Sequence, residues 1–159
     1  MFKISSALAL VLLLSPLFSP TLAGDNEDIA QILTKSETPD GVVFEVIGSD
    51  GNYLTKALEK IQGYKKVLQE KFPKLDIAVV SHGSEQFALT TDNANKFKKA
   101  HSSVKRLVAS DVPVYICETH ASWRDVTAEE FPEYINVASQ GPAQIKQYQE
   151  LGYTLVVID

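Results

Sequence analysis

Short runs of apolar residues alternate with amphipathic stretches along most of this chain. The runs are four to six residues long and rich in β-branched side chains, which is typical of strands buried in a sheet. They predict strands over residues 42–47, 75–80, 114–117, 135–138 and 154–158. Strands that alternate with helices imply a parallel sheet that is covered on both faces. The pattern therefore predicts an α/β fold: a three-layer α/β/α sandwich with a mainly parallel sheet of about five strands.

Between these runs, apolar residues recur every three or four positions and charged residues occupy the opposite face. This spacing predicts helices over residues 25–35, 53–72, 94–108 and 141–151. Pro73 ends the second of these helices, and Asp92 or Asn93 is expected to cap the third. Thr127 and Glu130 have the spacing of a capping box, which predicts a further short helix there.

The first 23 residues have the pattern of a secretory signal peptide. Lys3 supplies a positive charge, residues 7–14 are apolar without a break, and residues 21–23 place small side chains at the outer positions of a cleavage site. The apolar run is much shorter than the ~20 residues of a membrane-spanning helix, and Pro16 and Pro20 argue against the alternative of an uncleaved anchor. We therefore expect secretion across the inner membrane into the periplasm, with no membrane span in the mature chain. The expected segments are a signal peptide (1–23), an N-terminal extension (24–40) and one globular domain (41–159).

Composition narrows the possible partners. The chain has 159 residues, of which 45% are apolar and 22% are charged, as in a globular protein. Fifteen basic and 20 acidic residues give a net charge of −5, so we expect no nucleic-acid partner. The single cysteine, Cys117, excludes a disulfide framework within the chain and any site that needs several thiolates.

Candidate chemistry lies where the predicted strands end, because ligands bind beyond the carboxyl ends of the strands in sheets of this kind. His82 follows the second strand, and Cys117 and His120 follow the third. Cys117 has two interpretations. Free cysteines are often small buried apolar residues, whereas a thiolate is a nucleophile. His120, Arg124 and a nearby helix N-terminus could each favour the thiolate.

The remaining patterns give no support for a metal or a cofactor. The spacing of the three histidines with Cys117 matches no compact zinc-binding pattern. Residues 48–51 include two glycines between a strand and a helix, but they lack the lysine of a P-loop and the third glycine of a dinucleotide fingerprint. We therefore predict no metal and no cofactor. His101, which lies among lysines, is expected to be solvated. The lone Trp123 could cover a pocket or a contact between subunits, although a lone tryptophan is more often packed.

Four stretches in succession carry a family resemblance: IAVVSHG at 77–83, VPVYIC at 112–117, VASQGPA at 137–143 and YQELGY at 148–153. Together, by their order and spacing, they resemble the DsrE/DsrF-like sulfur-relay superfamily over about residues 41–159. The resemblance implies a three-layer domain that assembles into small oligomers. It also implies that a cysteine after a central strand carries sulfur as a persulfide. That position corresponds to Cys117, and His82 occupies the family's histidine after the second strand.

Two functional hypotheses follow. The first is an exported sulfur carrier or sulfurtransferase that acts through a persulfide on Cys117, with His82 and His120 as the other site residues. The alternative is a non-catalytic, oligomeric binding or scaffolding module of the same fold. A thiol-redox role has weaker support, because no second cysteine is available to resolve an oxidised one. The expected partners are further copies of the chain and a sulfur donor or acceptor protein. Candidate aromatic contacts between copies are Tyr115, Trp123, Phe131 and Tyr134.

Overall fold

The computed structural model describes residues 26–158, so the predicted signal peptide lies outside the described residues. The strands are β1 (Gly41–Val46), β2 (Ile77–Ser81), β3 (Val114–Cys117), β4 (Asn136–Ala138) and β5 (Tyr153–Ile158). The α-helices are α1 (Glu27–Thr34), α2 (Gly51–Lys71), α3 (Lys98–Val108), α4 (Glu118–Ser122) and α5 (Gly141–Glu150). Short 3-10 helices span Ser84–Leu89, Thr91–Asn93 and Ala128–Glu130.

The five strands form one sheet in the order β4-β3-β2-β1-β5, and every neighbouring pair is parallel. In the register of the sheet, Val42 of β1 lies opposite Ile77 on one side and Thr154 on the other. Helices cover both faces of the sheet, and the predicted α/β fold is confirmed. Because all strands run the same way, their carboxyl ends meet at one edge.

Side chains of β1 alternate between two apolar layers, as the period of a strand requires. Phe44 and Val46 belong to the larger core, which also includes Leu58 of α2 and Val104 of α3. Val43 points to the opposite face, where it belongs to a smaller cluster with residues of β2 and α5. The larger core therefore lies between the sheet and helices α1 to α3, and α5 packs on the other face.

The predicted N-terminal extension contains α1, and this helix packs on the main core. Ile29 and Ile32 are fully buried there. Asn26 caps the helix, since its side-chain oxygen accepts hydrogen bonds from the main-chain N–H groups of Asp28 and Ile29. The amide of Asn26 also donates to the main-chain oxygen of Val157 at 3.1 Å, which ties α1 to the end of β5.

Helix α2 follows β1 after a tight connection. The Asp50 carboxylate caps it by accepting hydrogen bonds from the N–H groups of Tyr53 and Asn52, at 3.0 and 2.8 Å. These hydrogen bonds hold the pKa of Asp50 below its ordinary value. One face of α2 is buried and the other carries charged residues. Among residues 26–158, no helix is both long and apolar enough to cross a membrane.

The capping box predicted at Thr127 is confirmed. Glu130 accepts a hydrogen bond from the Thr127 N–H at 2.9 Å, as a capping box requires. Pro142 lies in the first turn of α5. Gly152 ends the connection after α5 with a φ of 90°, a left-handed conformation that favours glycine. A Cβ at this position would also collide with the Asp40 carboxylate.

The start of α3 differs from the prediction. The helix begins at Lys98 rather than at residue 94, and neither Asp92 nor Asn93 caps it. The reason is that residues 84–93 form two 3-10 turns, and the Asn93 amide donates to the main-chain oxygen of Phe87 at 2.9 Å within them. The prediction of an Asp92 or Asn93 cap is therefore wrong. Helix α4, directly after Cys117, was not predicted as an element.

Candidate functional site

The three predicted site residues line one pocket at the carboxyl edge of the sheet. The pocket has a volume of about 320 Å³, and its wall includes His82, Cys117 and His120. Its other lining residues are Thr119, Trp123, Gln140 and Pro142. The topology explains this arrangement, because β2 and β3 are neighbours and their ends lie beside the start of α5.

Cys117 is the last residue of β3 and the first flanking residue of α4. Its side chain lies on the α5 face of the sheet and is 5% exposed. The sulfur accepts a hydrogen bond from the main-chain N–H of His120 at 3.5 Å. The thiol is thus buried in the domain but borders the pocket, a position that combines features of both interpretations of this cysteine.

The Gln86 side chain holds the main chain of Cys117. Its Oε1 accepts a hydrogen bond from the Cys117 N–H at 2.8 Å, and its Nε2 donates to the Cys117 oxygen at 3.2 Å. Strand β2 ends at Ser81, so no β2 backbone is available to pair with Cys117 on that side. The buried Gln86 amide takes the place of the missing strand residue and fixes the backbone that carries the thiol.

His82 is held from β1. Its Nε2 lies 2.8 Å from Oε1 of Glu45, and the two side chains are 12% and 17% exposed. Because an ionised carboxylate only accepts hydrogen bonds, Nε2 carries the proton in this contact. On the other side of the ring, a Cβ on Gly141 would collide with His82, so only glycine lets α5 begin this close. Both contacts fix the ring at the pocket wall.

A buried carboxylate joins the ends of β1 and β2 behind this site. Glu85 is fully buried, and its Oε1 accepts hydrogen bonds from the Ser81 hydroxyl at 2.7 Å and from the Gly83 N–H at 3.0 Å. Its Oε2 accepts a hydrogen bond from the Gly48 N–H at 2.6 Å. These three donors satisfy the carboxylate and hold the two loops together on either side of His82.

Aromatic rings form the rim of the pocket. The His120 ring lies 5.0 Å from the Trp123 ring and 5.7 Å from the Phe87 ring, measured between centroids. The Arg124 guanidinium stacks over Phe87 at 4.5 Å and donates to the Ser84 hydroxyl at 2.9 Å. Trp123 follows α4, is 73% exposed and lines the pocket. Of the positions considered for it, the structure therefore agrees with the one at a pocket and not with packing in the core.

His101 is not part of this site, and the expectation that it is solvated is wrong. It is 5% exposed, its Nε2 donates to the Ala88 oxygen at 3.0 Å, and its Nδ1 accepts from the Tyr134 hydroxyl at 2.6 Å. Burial lowers the pKa of His101, with a smaller effect in the same direction from Lys105. The lysines near His101 in the sequence suggest an exposed position, but His101 lies on the buried face of α3.

Three residues of the site were not identified from the sequence: Glu45, Glu85 and Gln86. Glu45 gave a usable signal, since it is a carboxylate within an otherwise apolar strand. The other two lie in a 3-10 turn, where no periodic pattern marks the buried positions. Within residues 26–158, no group of three or more histidine, cysteine or acidic side chains could hold a metal ion.

Comparison with known proteins adds the fold. No protein-family model matches the sequence, and no curated protein matches it significantly. Several solved structures are similar, and MTH1491 and ychN are two of them. MTH1491 from Methanobacterium thermoautotrophicum, described as a protein of unknown function, has a TM-score of 0.59 and 18% identity, covering 74% of this chain and 97% of that protein. The ychN protein from E. coli has a TM-score of 0.54 and 16% identity, covering 74% of this chain and 98% of that protein. The chain therefore shares the α/β fold of these two proteins.

Proposed function

We propose that this protein is an exported carrier of sulfane sulfur that acts through a persulfide on Cys117. The observation that carries the proposal is the position of the thiol at a pocket whose wall also holds His82 and His120. The resemblance to the DsrE/DsrF-like superfamily supports it, and so does the DsrE/TusD-like fold of the two similar structures.

The transfer is a thiol–persulfide exchange. The Cys117 thiolate attacks the outer sulfur of a donor persulfide, a new S–S bond forms at Cys117, and the donor's S–S bond breaks. The donor leaves as a thiolate, which takes up a proton from solvent. Transfer to an acceptor thiolate repeats the exchange in the opposite direction. No net oxidation occurs in either step.

Each site residue has a role in this scheme. The main-chain N–H of His120 donates to the sulfur and stabilises negative charge on it. His82, held by Glu45, presents a ring at the pocket wall that can offset the charge of a thiolate or persulfide when the ring is protonated. The His120 and Trp123 rings lie against each other at the pocket wall, where they would limit contact of a persulfide with solvent and oxidants.

The alternative function is a non-catalytic binding module, and the burial of Cys117 favours it. Alkylation distinguishes the two. Because Cys117 is the only cysteine, intact mass after treatment with a small thiol reagent reports on this site alone, and Cys117→Ser is the matched control. Alkylation of the folded protein supports the carrier. Alkylation only after denaturation supports the binding module, in which Cys117 is a core residue.

We also propose export and self-association. The sequence pattern of residues 1–23 supports secretion to the periplasm, and sequencing of the secreted protein's N-terminus tests it. Of the four aromatic residues considered as contacts between copies, Phe131 is buried, Tyr115 and Tyr134 pack against core clusters, and Trp123 is exposed. Trp123 is therefore the residue that we propose for a contact between copies, and light scattering tests the association.

A further inference from the structure

A shallow groove runs between α2 and α3, away from the Cys117 pocket. We call it the α2–α3 groove. One end lies at Asn52 and Asn95 and the other at Gln69 and Ser110. Its three hollows are continuous, because the middle one shares lining residues with both ends. Seventeen residues separate Asn52 from Gln69 on α2, so the groove is about 26 Å long.

Basic residues are concentrated in this groove. Helix α2 contributes Lys56, Lys65 and Lys66, and α3 with the residues just before it contributes Lys96, Lys98, Lys99 and Arg106. Glu59 and Glu70 are the carboxylates among its lining residues. Seven positive and two negative charges give the lining +5, whereas the whole chain carries −5. The rest of the chain therefore carries −10, and the positive charge of the groove is a local feature against the overall charge.

The contacts of these cations within the fold are few, and one of them is the Lys96 ammonium over the Phe97 ring at 5.1 Å from the ring centroid. None of the seven forms an ion pair within residues 26–158. Arg106 is nevertheless held in place, because its guanidinium donates to the Ser103 hydroxyl at 2.9 Å and to the Gln62 side-chain oxygen at 3.3 Å. The Gln62 amide in turn donates to the Ser103 main-chain oxygen at 3.3 Å. The centre of the groove is thus an ordered cationic site on a protein of opposite net charge.

We propose that the α2–α3 groove binds an extended acidic polypeptide segment of a partner protein. Six of its seven cations are lysines, which act as point charges and can each pair with a single carboxylate along an extended segment. Side-chain amides such as those of Asn52 and Asn95 can pair with a peptide backbone, as Gln86 does with Cys117 in this structure.

Two other anionic partners, a membrane surface and a uniformly charged polymer, fit the groove less well. The large apolar side chains that are exposed within residues 26–158 lie outside the groove, so it offers nothing to insert into a membrane. The two carboxylates in the groove repel a uniformly charged polymer, but they can accept hydrogen bonds from the N–H groups of a peptide. About eight extended residues match the length of the groove.

Fluorescence anisotropy with a labelled peptide tests the proposal. The probe is an alternating glutamate–glycine peptide of about 12 residues, which is long enough to span the groove. Its control replaces every glutamate by glutamine. We expect the acidic peptide to bind at about 0.01 M ionic strength and to weaken at about 0.15 M, since the Debye length falls from about 30 to about 8 Å.

Two double variants locate the binding. Lys98→Gln with Lys99→Gln removes two central charges from the first turn of α3, where a cation does not stabilise a helix, so the fold is retained. We expect this variant to bind the peptide about five- to tenfold more weakly. The matched control, Lys35→Gln with Lys146→Gln, changes the net charge equally outside the groove and should bind within about twofold of the wild type.

Three results would overturn the proposal. The first is no binding of the acidic peptide at low salt, or equal binding of its glutamine control. The second is equal weakening in both double variants, which would indicate attraction by net charge alone. The third is tighter binding of a single-stranded oligonucleotide, a sulfated oligosaccharide or anionic lipid vesicles than of the peptide, which would assign the groove to that class of partner.

Discussion

Replacement of Gln86 by leucine should destabilise the domain, because this side chain alone satisfies both main-chain groups of Cys117 on the β2 side. Leucine is similar in volume but forms no hydrogen bonds, so the Cys117 N–H would stay buried without a partner. The Cys117 C=O would lose one of its two partners, because as the N-cap of α4 it also accepts the first hydrogen bond of that helix. A stranded buried N–H costs about 1–3 kcal/mol, and a lost hydrogen bond costs about 0.5–1.5 kcal/mol. The extra apolar burial of leucine offsets about 1 kcal/mol. We therefore expect a net loss of about 0.5–3.5 kcal/mol.

Urea unfolding measures this loss. A domain of this size has a total stability of about 5–15 kcal/mol, and urea lowers it by about 1–3 kcal/mol per mole per litre. With a slope of about 2 kcal/mol per mole per litre, the midpoint of Gln86→Leu should thus fall by about 0.3–1.8 M. Gln147→Leu is the matched control, since the same substitution on the exposed side of α5 should change stability by less than about 0.5 kcal/mol. If Gln86→Leu unfolds at the same urea concentration as this control, the Gln86 amide does not hold the Cys117 backbone.

Three further predictions concern other parts of the molecule. Glu45→Gln replaces a charge-assisted hydrogen bond to His82 by a neutral one. We expect stopped-flow measurements to show that persulfide loading of Cys117 is about three- to tenfold slower in this variant. An unchanged rate would show that His82 does not act in the loading reaction. The fold lowers the pKa of His101, so the unfolded chain takes up this proton first as the pH falls below about 6.5, and the free energy of unfolding should decrease there. His101→Gln should lose less stability over the same pH interval. Equal pH dependence of stability in the wild type and the variant would contradict this prediction. Trp123→Ala should reduce the mass seen by light scattering, because it removes the proposed contact between copies. At concentrations where both proteins are monomeric, its urea midpoint should equal that of the wild type, because the ring is exposed. A wild-type protein that scatters as a monomer at the concentration used for light scattering would refute the proposed contact.

The sequence was sufficient to predict the sheet and the edge where the candidate site lies. Strands such as 114–117 are buried on both faces, so their apolar runs stand out, and the parallel order brings His82 and Cys117 to one edge. The spacing of apolar residues could not predict the 3-10 turns at 84–93, because such short turns do not place buried residues at regular intervals. Glu85 and Gln86 were missed for this reason, although they hold the loops of the site.

The side-chain environments of two residues also depended on tertiary contacts. His101 lies between lysines in the sequence, but its helix face packs toward Tyr134 and the Ala88 carbonyl, partners that come from distant segments. A lone tryptophan is more often packed, yet the short helix α4 places Trp123 outside the core. Local spacing does not determine either outcome, because both depend on how the segments after β2 and β3 fold over the sheet.

The central claim is that Cys117 carries sulfur in the folded protein, and intact mass after incubation with a small persulfide donor tests it most directly. We predict that the native wild-type protein gains the mass of one sulfur atom, that a reductant removes it, and that Cys117→Ser gains none. A native wild-type protein that gains no sulfur, while its denatured form reacts with a thiol reagent, would contradict the claim.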